Sequence, residues 1–163
     1  MRFFRRVDQS GFILEPRERA LIRVETLDGA LLATDVALHI HGEIDERIEW
    51  WQINHVSFDP EEKKLSIAFE NSLIEIDLTS PSLLPETVRE RVTATILTSI
   101  RFATPGQASA VISLRRRPAA NDEEAFVQID WQGSPTPVAM AEAERRGRLL
   151  VESLVFSSPL RLR

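Results

Sequence analysis

Cysteine is absent from this 163-residue chain. That absence excludes a disulfide framework, thiolate catalysis and any metal site built on thiolates, and it is compatible with a reducing compartment. No run approaches the ~18 consecutive apolar residues that a membrane-spanning helix needs. The N-terminal sequence MRFFRRVDQSGFIL begins with basic residues, but residues 8–11 interrupt it before an apolar signal region can form. We therefore expect a cytoplasmic protein.

Glycine is scarce, and the six glycines are scattered along the chain. A phosphate-binding loop needs clustered glycines so that backbone N–H groups can surround the phosphate. The Gly-x-Ser-x-Gly turn that exposes a serine nucleophile is also missing. The acid pairs Asp45/Glu46 and Glu61/Glu62 fall on predicted turns, where solvated carboxylates are common. The sequence therefore predicts no catalytic residue, no cofactor and no enzyme activity.

The net charge of −5 is distributed unevenly. Residues 1–23 carry six arginines against three acids, and residues 78–163 carry eleven arginines against nine acids. Between them, residues 24–77 carry thirteen acids against three basic residues, a net charge of −10. An acidic sheet repels phosphate backbones, so nucleic acid is not an expected partner. A solvated acidic face without a binding role is the alternative interpretation.

Alternating apolar and polar residues predict strands through the first half of the chain. Asp28-Gly29 lies between two such runs and is typical of a hairpin turn. Residues 47–78 contain three strands in series, RIEWWQINHVSF, KKLSIAF and SLIEIDL. The predicted strands cover residues 19–26, 30–34, 36–40, 47–58, 65–69 and 73–78.

The period then changes from two to 3.6, which predicts a helix over about residues 85–101. Pro85 suits the first helical position. An i, i+4 stripe of apolar side chains follows it and indicates a face directed at a core. The stripe consists of Val88, Val92, Ile96 and Ile100.

Two further strands, 108–116 and 124–131, and a final helix, 138–155, are predicted after a break at residues 104–106. The final helix carries Ala139, Ala143 and Gly147 at i, i+4 and i+8. Small side chains in a row let a helix approach its neighbour closely. We therefore expect this helix to pack tightly on the sheet, on the first helix or on a partner subunit.

The order of these elements resembles the bacterial pleckstrin-homology-like (PH-like) fold. The segments that carry the resemblance are TDVALHI, RIEWWQINHVSFD, KKLSIAF and ETVRERVTATILTSI. The chain is similar to a poorly characterised group of actinobacterial proteins with that fold. In that group a Trp-x-x-Ile/Val strand precedes an Arg-Val-x-Ala helix, an Arg-rich strand (here AVISLRRRP) and a final Ala/Arg helix.

The resemblance implies an α+β fold in which a rolled antiparallel β-sheet or barrel of seven strands is capped by the helix 85–101. This PH-like barrel would occupy residues 1–103. A C-terminal β-hairpin and helix, 104–163, would pack on it as an extension within one compact unit. The resemblance implies no catalytic residues. Phosphoinositide-binding relatives use a basic cluster at the first hairpin, where this chain has Asp28-Gly29.

His39 and His41 are the candidate metal ligands. They stand two residues apart on a predicted strand and therefore share one face. Imidazoles at this spacing can bind one divalent metal if Glu43, Asp45 or His55 completes the ligand set. Two partly exposed histidines at the end of a strand are the alternative, and the sequence does not favour a metal site over it.

Trp50 and Trp51 are candidate interaction residues. Adjacent strand residues face opposite ways, so one indole should lie in the core and the other at the surface. A surface tryptophan is a plausible contact for a protein partner.

Arg115, Arg116 and Arg117 are further interaction candidates. Together with the basic and aromatic residues 1–6 they could bind an anionic membrane surface. The structural alternative is that the three arginines pair with the acids at 122–124 across the predicted hairpin.

The function predicted from these signals is that of a non-catalytic PH-like binding or scaffolding domain, which engages protein partners or associates with itself. The alternative is peripheral membrane binding through the N-terminal and hairpin arginines. A metal-dependent enzyme that uses His39 and His41 is the third hypothesis. The sequence identifies no small-molecule ligand.

Overall fold

The chain divides into two compact units, Met1–Thr93 and Ala94–Arg163, in this computed structural model. The structure describes residues 6–7, 11–104, 108–118 and 123–157. Its fold is α+β with antiparallel sheets, as predicted. No helix in those described ranges has the length and apolar content that crossing a membrane requires.

The first unit contains two sheets, a short ribbon and one helix. Strands β3 to β6 form a four-stranded antiparallel sheet in sequence order, and β7 to β9 form a three-stranded one. The ribbon pairs β1 with β2. The bounds are β1 (Arg6–Val7), β2 (Ile13–Leu14), β3 (Ala20–Glu25), β4 (Ala30–Thr34), β5 (Ala37–His41), β6 (Glu46–Glu49), β7 (Ile53–Asp59), β8 (Lys64–Phe69), β9 (Ser72–Asp77) and α1 (Leu84–Ala94).

Both sheets and α1 contribute to one core. Leu38 and Ile48 come from the four-stranded sheet, Leu65 and Ile67 from the three-stranded sheet, and Val88 from the helix. Each of these side chains is at most 1% exposed. Burying a side chain of this size contributes about 1.5–3 kcal/mol. The period-two pattern therefore identified the inward face of these strands correctly.

The predicted barrel does not close, and the single strand predicted over 47–58 is wrong. A 3₁₀ turn, Trp50–Gln52, interrupts that stretch and passes the chain from one sheet to the other. The Gln52 side chain accepts a hydrogen bond from the Glu49 backbone N–H (2.8 Å), which stabilises this turn. Between strands β3 and β9 the structure contains a lone bridge, Thr26 to Leu78, among the described residues. The two sheets therefore remain separate.

The predicted helix 85–101 is also too long. α1 ends at Ala94, and Ile96–Ala103 forms strand β10. The error has a geometric cause, because a spacing of four residues satisfies a strand of period two as well as a helix. Ile100 and Phe102 alternate inward along β10 with exposed Arg101 between them. The division between the units consequently falls after Thr93 rather than after residue 103.

The second unit is a three-stranded antiparallel sheet with a helix on one face. β10 pairs with β11 (Ser109–Pro118), which pairs with β12 (Glu123–Gln132), and α2 (Pro137–Ser157) follows. The predicted hairpin and final helix are confirmed. The core between sheet and helix contains Phe102, Ala110, Ile112, Ala139 and Ala143. The C-terminal helix thus packs on the sheet of its own chain.

Gly147 sets the distance between α2 and β12. A Cβ atom at this position would lie 2.7 Å from Cγ1 of Val127, which is too close. Overpacking of this kind costs about 1–3 kcal/mol, whereas alanine gains about 1 kcal/mol over glycine in a helix. We predict that Gly147→Ala lowers the free energy of unfolding by about 1 kcal/mol, measured by urea denaturation.

The control for this substitution is the same change in a Val127→Ala background. Removal of the Val127 methyl groups leaves room for the new Cβ atom, so Gly147→Ala should then stabilise the protein by about 1 kcal/mol. Stabilisation by Gly147→Ala in the wild-type background would contradict the prediction.

Candidate functional site

Glu18 is a buried carboxylate that joins the segment before β3 to the four-stranded sheet. Its side chain is 1% exposed. Oε1 accepts hydrogen bonds from His39 Nε2 (2.7 Å) and from the Thr34 hydroxyl (2.6 Å), and Oε2 accepts one from the Glu15 backbone N–H (2.9 Å). Arg47 adds an ion pair at 3.8 Å from Oε2. Glu18 therefore connects its own turn with strands β4, β5 and β6.

These contacts decide the charge of Glu18. Burial raises the pKa of its carboxyl, but the hydrogen bonds from His39, Thr34 and the Glu15 backbone outweigh burial and leave the pKa below its ordinary value. Glu18 is therefore an anion at neutral pH. A buried anion is tolerated here because donors surround it.

A cleft of about 340 Å³, which we call the outer cleft, lies beside this buried cluster. One wall consists of the segment before β3, and the other comes from β5, β6 and the turn between them. Phe12 contacts both histidines edge to face, with ring centroids 6.1 Å from His39 and 5.9 Å from His41. The lining residues are Gly11, Phe12, Ile13, Glu15, His39, Ile40, His41, Asp45, Glu46 and Arg47.

The β3–β4 and β5–β6 turns meet at one end of the four-stranded sheet. A Cβ atom on Gly29 would lie 1.8 Å from the His41 carbonyl oxygen, and one on Gly42 would lie 2.4 Å from that of Asp28. The two backbones can therefore touch only because both positions are glycine. Asp45 Oδ1 closes the second turn by accepting from His41 Nδ1 (2.6 Å) and from the Gly42 N–H (3.3 Å).

Each of these turns exposes a large apolar side chain. Leu27 is 74% exposed and Ile44 is 54% exposed, and we call them the tip pair. Ile13, in the wall of the outer cleft, is 52% exposed. Turns are normally polar, so large apolar side chains exposed at both turns depart from the usual pattern.

The structure places the predicted metal ligands on one face of β5, where each histidine is hydrogen-bonded to a carboxylate of the same protein. His39 donates to Glu18, and His41 donates to Asp45. Glu43 lies exposed in the β5–β6 turn, and His55 is exposed on β7 in the other sheet. Within the described ranges, no group of three or more His, Cys, Asp or Glu residues could hold a metal ion.

The two tryptophans differ in burial, although they lie in the 3₁₀ turn rather than in the strand from which the difference was predicted. Trp50 is 4% exposed in the core, and its indole N–H donates to the Thr34 carbonyl oxygen (3.2 Å). It offers no surface to a partner. Trp51 is half-buried, and its indole donates to Glu49 Oε2 (2.5 Å). Trp51 is therefore the member of the pair that keeps some accessible surface.

The three arginines on β11 are also unequal. Arg115 is 2% exposed; it donates to Thr95 Oγ1 through Nη2 (2.6 Å) and to Gln128 Oε1 through Nη1 (2.6 Å). Arg115 therefore presents almost no surface to a partner. Arg116 is exposed. Arg117 pairs with Glu124 across the hairpin, as the structural alternative predicted for all three arginines, whereas Arg115 bonds to Thr95 and Gln128 instead. The side chains of residues 1–6, Asp122 and Glu123 lie outside the described part of the structure.

Sequence reasoning missed Glu18 and the tip pair. Glu18 is 21 residues from His39, and no local pattern relates them. The tip pair did carry a signal, because Leu27 and Ile44 are large apolar residues within predicted turns.

Comparisons of the chain with protein-family models, with curated proteins and with solved structures gave no match. The PH-like resemblance therefore remains a prediction.

We predict that Glu18→Gln lowers the free energy of unfolding at pH 7. The variant's free energy of unfolding should also change less with pH in the acid range than that of the wild-type protein. The folded-state pKa of Glu18 lies below its ordinary value of 4.5, so its stabilisation is complete above the unfolded-state pKa and is lost as pH falls through the folded-state pKa. The variant should lose about 1.5–3 kcal/mol at pH 7, the contribution of hydrogen bonds to a charged group. Urea denaturation from pH 3 to pH 7 measures both effects.

Glu75→Gln on the exposed face of β9 is the matched control. It should change stability at pH 7 by less than about 0.5 kcal/mol, as surface substitutions do. If the free energy of unfolding of Glu18→Gln falls below pH 5 as steeply as that of the wild-type protein, Glu18 is not the carboxylate with the lowered pKa.

Proposed function

We propose that the first unit is a PH-like domain that binds protein partners, or a second copy of itself, through the tip pair and the outer cleft. The order of its elements supports the PH-like assignment. Four antiparallel strands, β3–β6, are followed by three more, β7–β9, and then by α1. Leu84 and Val88 of that helix enter the core between the sheets.

The observation that carries the binding proposal is the exposure of the tip pair. Leu27 and Ile44 project from two turns that Gly29 and Gly42 hold in contact. The outer cleft adds an apolar wall residue, Ile13, beside polar and charged groups. Protein interfaces commonly combine an apolar centre with a polar rim, and grouped exposed apolar residues often mark such a surface.

Membrane binding is the second candidate and has less support. Arg115 is buried and Arg117 is paired with Glu124, so two arginines of the predicted basic cluster are already engaged. The turns that carry the tip pair contain Asp28 and Glu43, which repel anionic headgroups. The metal-dependent enzyme has less support again, since His39 and His41 are both bonded to carboxylates. A cytoplasmic location stays a prediction.

The double variant Leu27→Ser/Ile44→Ser tests the proposal. Wild-type protein should self-associate in light scattering or retain a defined partner in a pull-down from cells of its source. Loss of a central apolar contact typically costs more than 1 kcal/mol, so the double variant should weaken that association at least about tenfold. Titration of the isolated complex measures the change.

Leu73→Ser is the matched control, because Leu73 is 64% exposed on β9 in the other sheet. It should leave the association unchanged. A strictly monomeric wild-type protein that retains no partner would overturn the proposal, as would equal weakening by the control. Co-sedimentation with anionic but not neutral vesicles would favour the membrane candidate instead.

A further inference from the structure

We propose that the segment bound at this surface presents a lysine or arginine beside an apolar side chain, and that the carboxylates of the outer cleft bind the cation. This inference rests on the proposed function and specifies the chemistry of the partner. Its basis is a difference between the charged groups of the cleft: some are paired within the protein, and others are exposed to solvent.

Among the described residues that line the outer cleft, Arg47 is the arginine, and its charge is committed to its own protein. Arg47 Nη1 donates to Glu49 Oε1 (2.8 Å), and Nη2 lies 3.8 Å from Glu18 Oε2. The Arg47 side chain is only 30% exposed. Its charge therefore compensates Glu49 and the buried Glu18 and contributes little positive potential to the mouth of the cleft.

The carboxylates at the mouth are more exposed. Asp45 is 70% exposed at its side chain, and its Oδ1 atom receives the hydrogen bonds from His41 and Gly42. Within the described residues, the Glu46 carboxylate has neither a hydrogen bond nor an ion pair. Asp28 and Glu43, both exposed, lie in the adjoining turns. Among the described residues, the two turns that carry the tip pair therefore contain acidic side chains and no lysine or arginine.

The apolar residues beside these carboxylates fit the stem of a basic side chain. Lysine and arginine lay their methylene groups on apolar surface while the charged end reaches polar groups. Ile13 supplies that surface in the cleft wall, and the tip pair supplies it at the adjoining turns. A phosphate or an acidic peptide would instead meet Asp45 and Glu46. Complementary charge of this kind sets specificity and the rate of association.

Fluorescence anisotropy with three labelled nonapeptides tests the inference on the full chain. The peptides alternate leucine with arginine, with glutamine or with glutamate. The arginine peptide should bind, its affinity should fall as salt is raised, and the glutamate peptide should not bind. Asp45→Asn/Glu46→Gln should weaken the arginine peptide about tenfold, as the sum of two exposed charge pairs.

Two further variants separate this site from general acidity and from a disturbed turn. Glu61→Gln/Glu62→Gln changes the net charge equally but lies on the β7–β8 turn of the other sheet, so its affinity should match wild type. Glu46→Gln alone keeps the His41–Asp45 contact and should weaken binding about threefold. Unfolding curves of all variants report whether the fold is retained.

Equal binding of the arginine and glutamate peptides would overturn the inference, as would equal weakening by the two double variants or no binding by any peptide. Pelleting of the protein with anionic vesicles in place of peptide binding would also overturn it. These outcomes are distinct from failure of the proposed function. A partner that is lost with Leu27→Ser/Ile44→Ser but is unaffected by Asp45→Asn/Glu46→Gln would keep the binding surface and reject the cationic ligand.

Discussion

The structure of the first unit depends on how Thr34 satisfies polar groups on both faces of the four-stranded sheet. Thr34 is fully buried at the end of β4. Its carbonyl oxygen accepts from the Trp50 indole in the core, while its hydroxyl donates to Glu18 on the opposite side and accepts from the Ala37 N–H (2.9 Å). Buried polar groups are costly unless they are hydrogen-bonded. Thr34 therefore holds two segments at once: the 3₁₀ turn that connects the two sheets, through Trp50, and the segment before β3, through Glu18.

Much of the fold could be predicted from the sequence because its strands are amphipathic. Leu65 and Ile67 alternate with more exposed neighbours, and Asp28-Gly29 marks a real turn. The errors arose where one pattern fits two structures. Ile96 and Ile100 obey the helical spacing and the strand spacing together, and only pairing with β11 decides between them. At Trp50 a 3₁₀ turn breaks an alternation that looked continuous.

The candidate site was less predictable than the fold. His39 and His41 were identified correctly as sharing a face, but their carboxylate partners are held by tertiary structure. Glu18 and His39 are 21 residues apart, and the segment that precedes Glu18 packs on the sheet through Phe12 and Leu14, which cover Ala30 and Leu32. No periodic pattern in the sequence predicts that this segment packs on the sheet. Charge alone was also misleading for Arg115, since its neighbours Thr95 and Gln128 make burial possible.

The backbone contact between the two glycine turns has a consequence for binding thermodynamics. Loops that order only on binding lose conformational entropy, which reduces affinity. Here the β3–β4 and β5–β6 turns abut through Gly29 and Gly42, and Asp45 ties the second turn to His41. Neither turn can shift without displacing the other. The backbone that carries Leu27 and Ile44 is consequently held in place in the folded domain. Under the proposed function, the entropy cost of ordering these two turns is therefore met on folding rather than on binding.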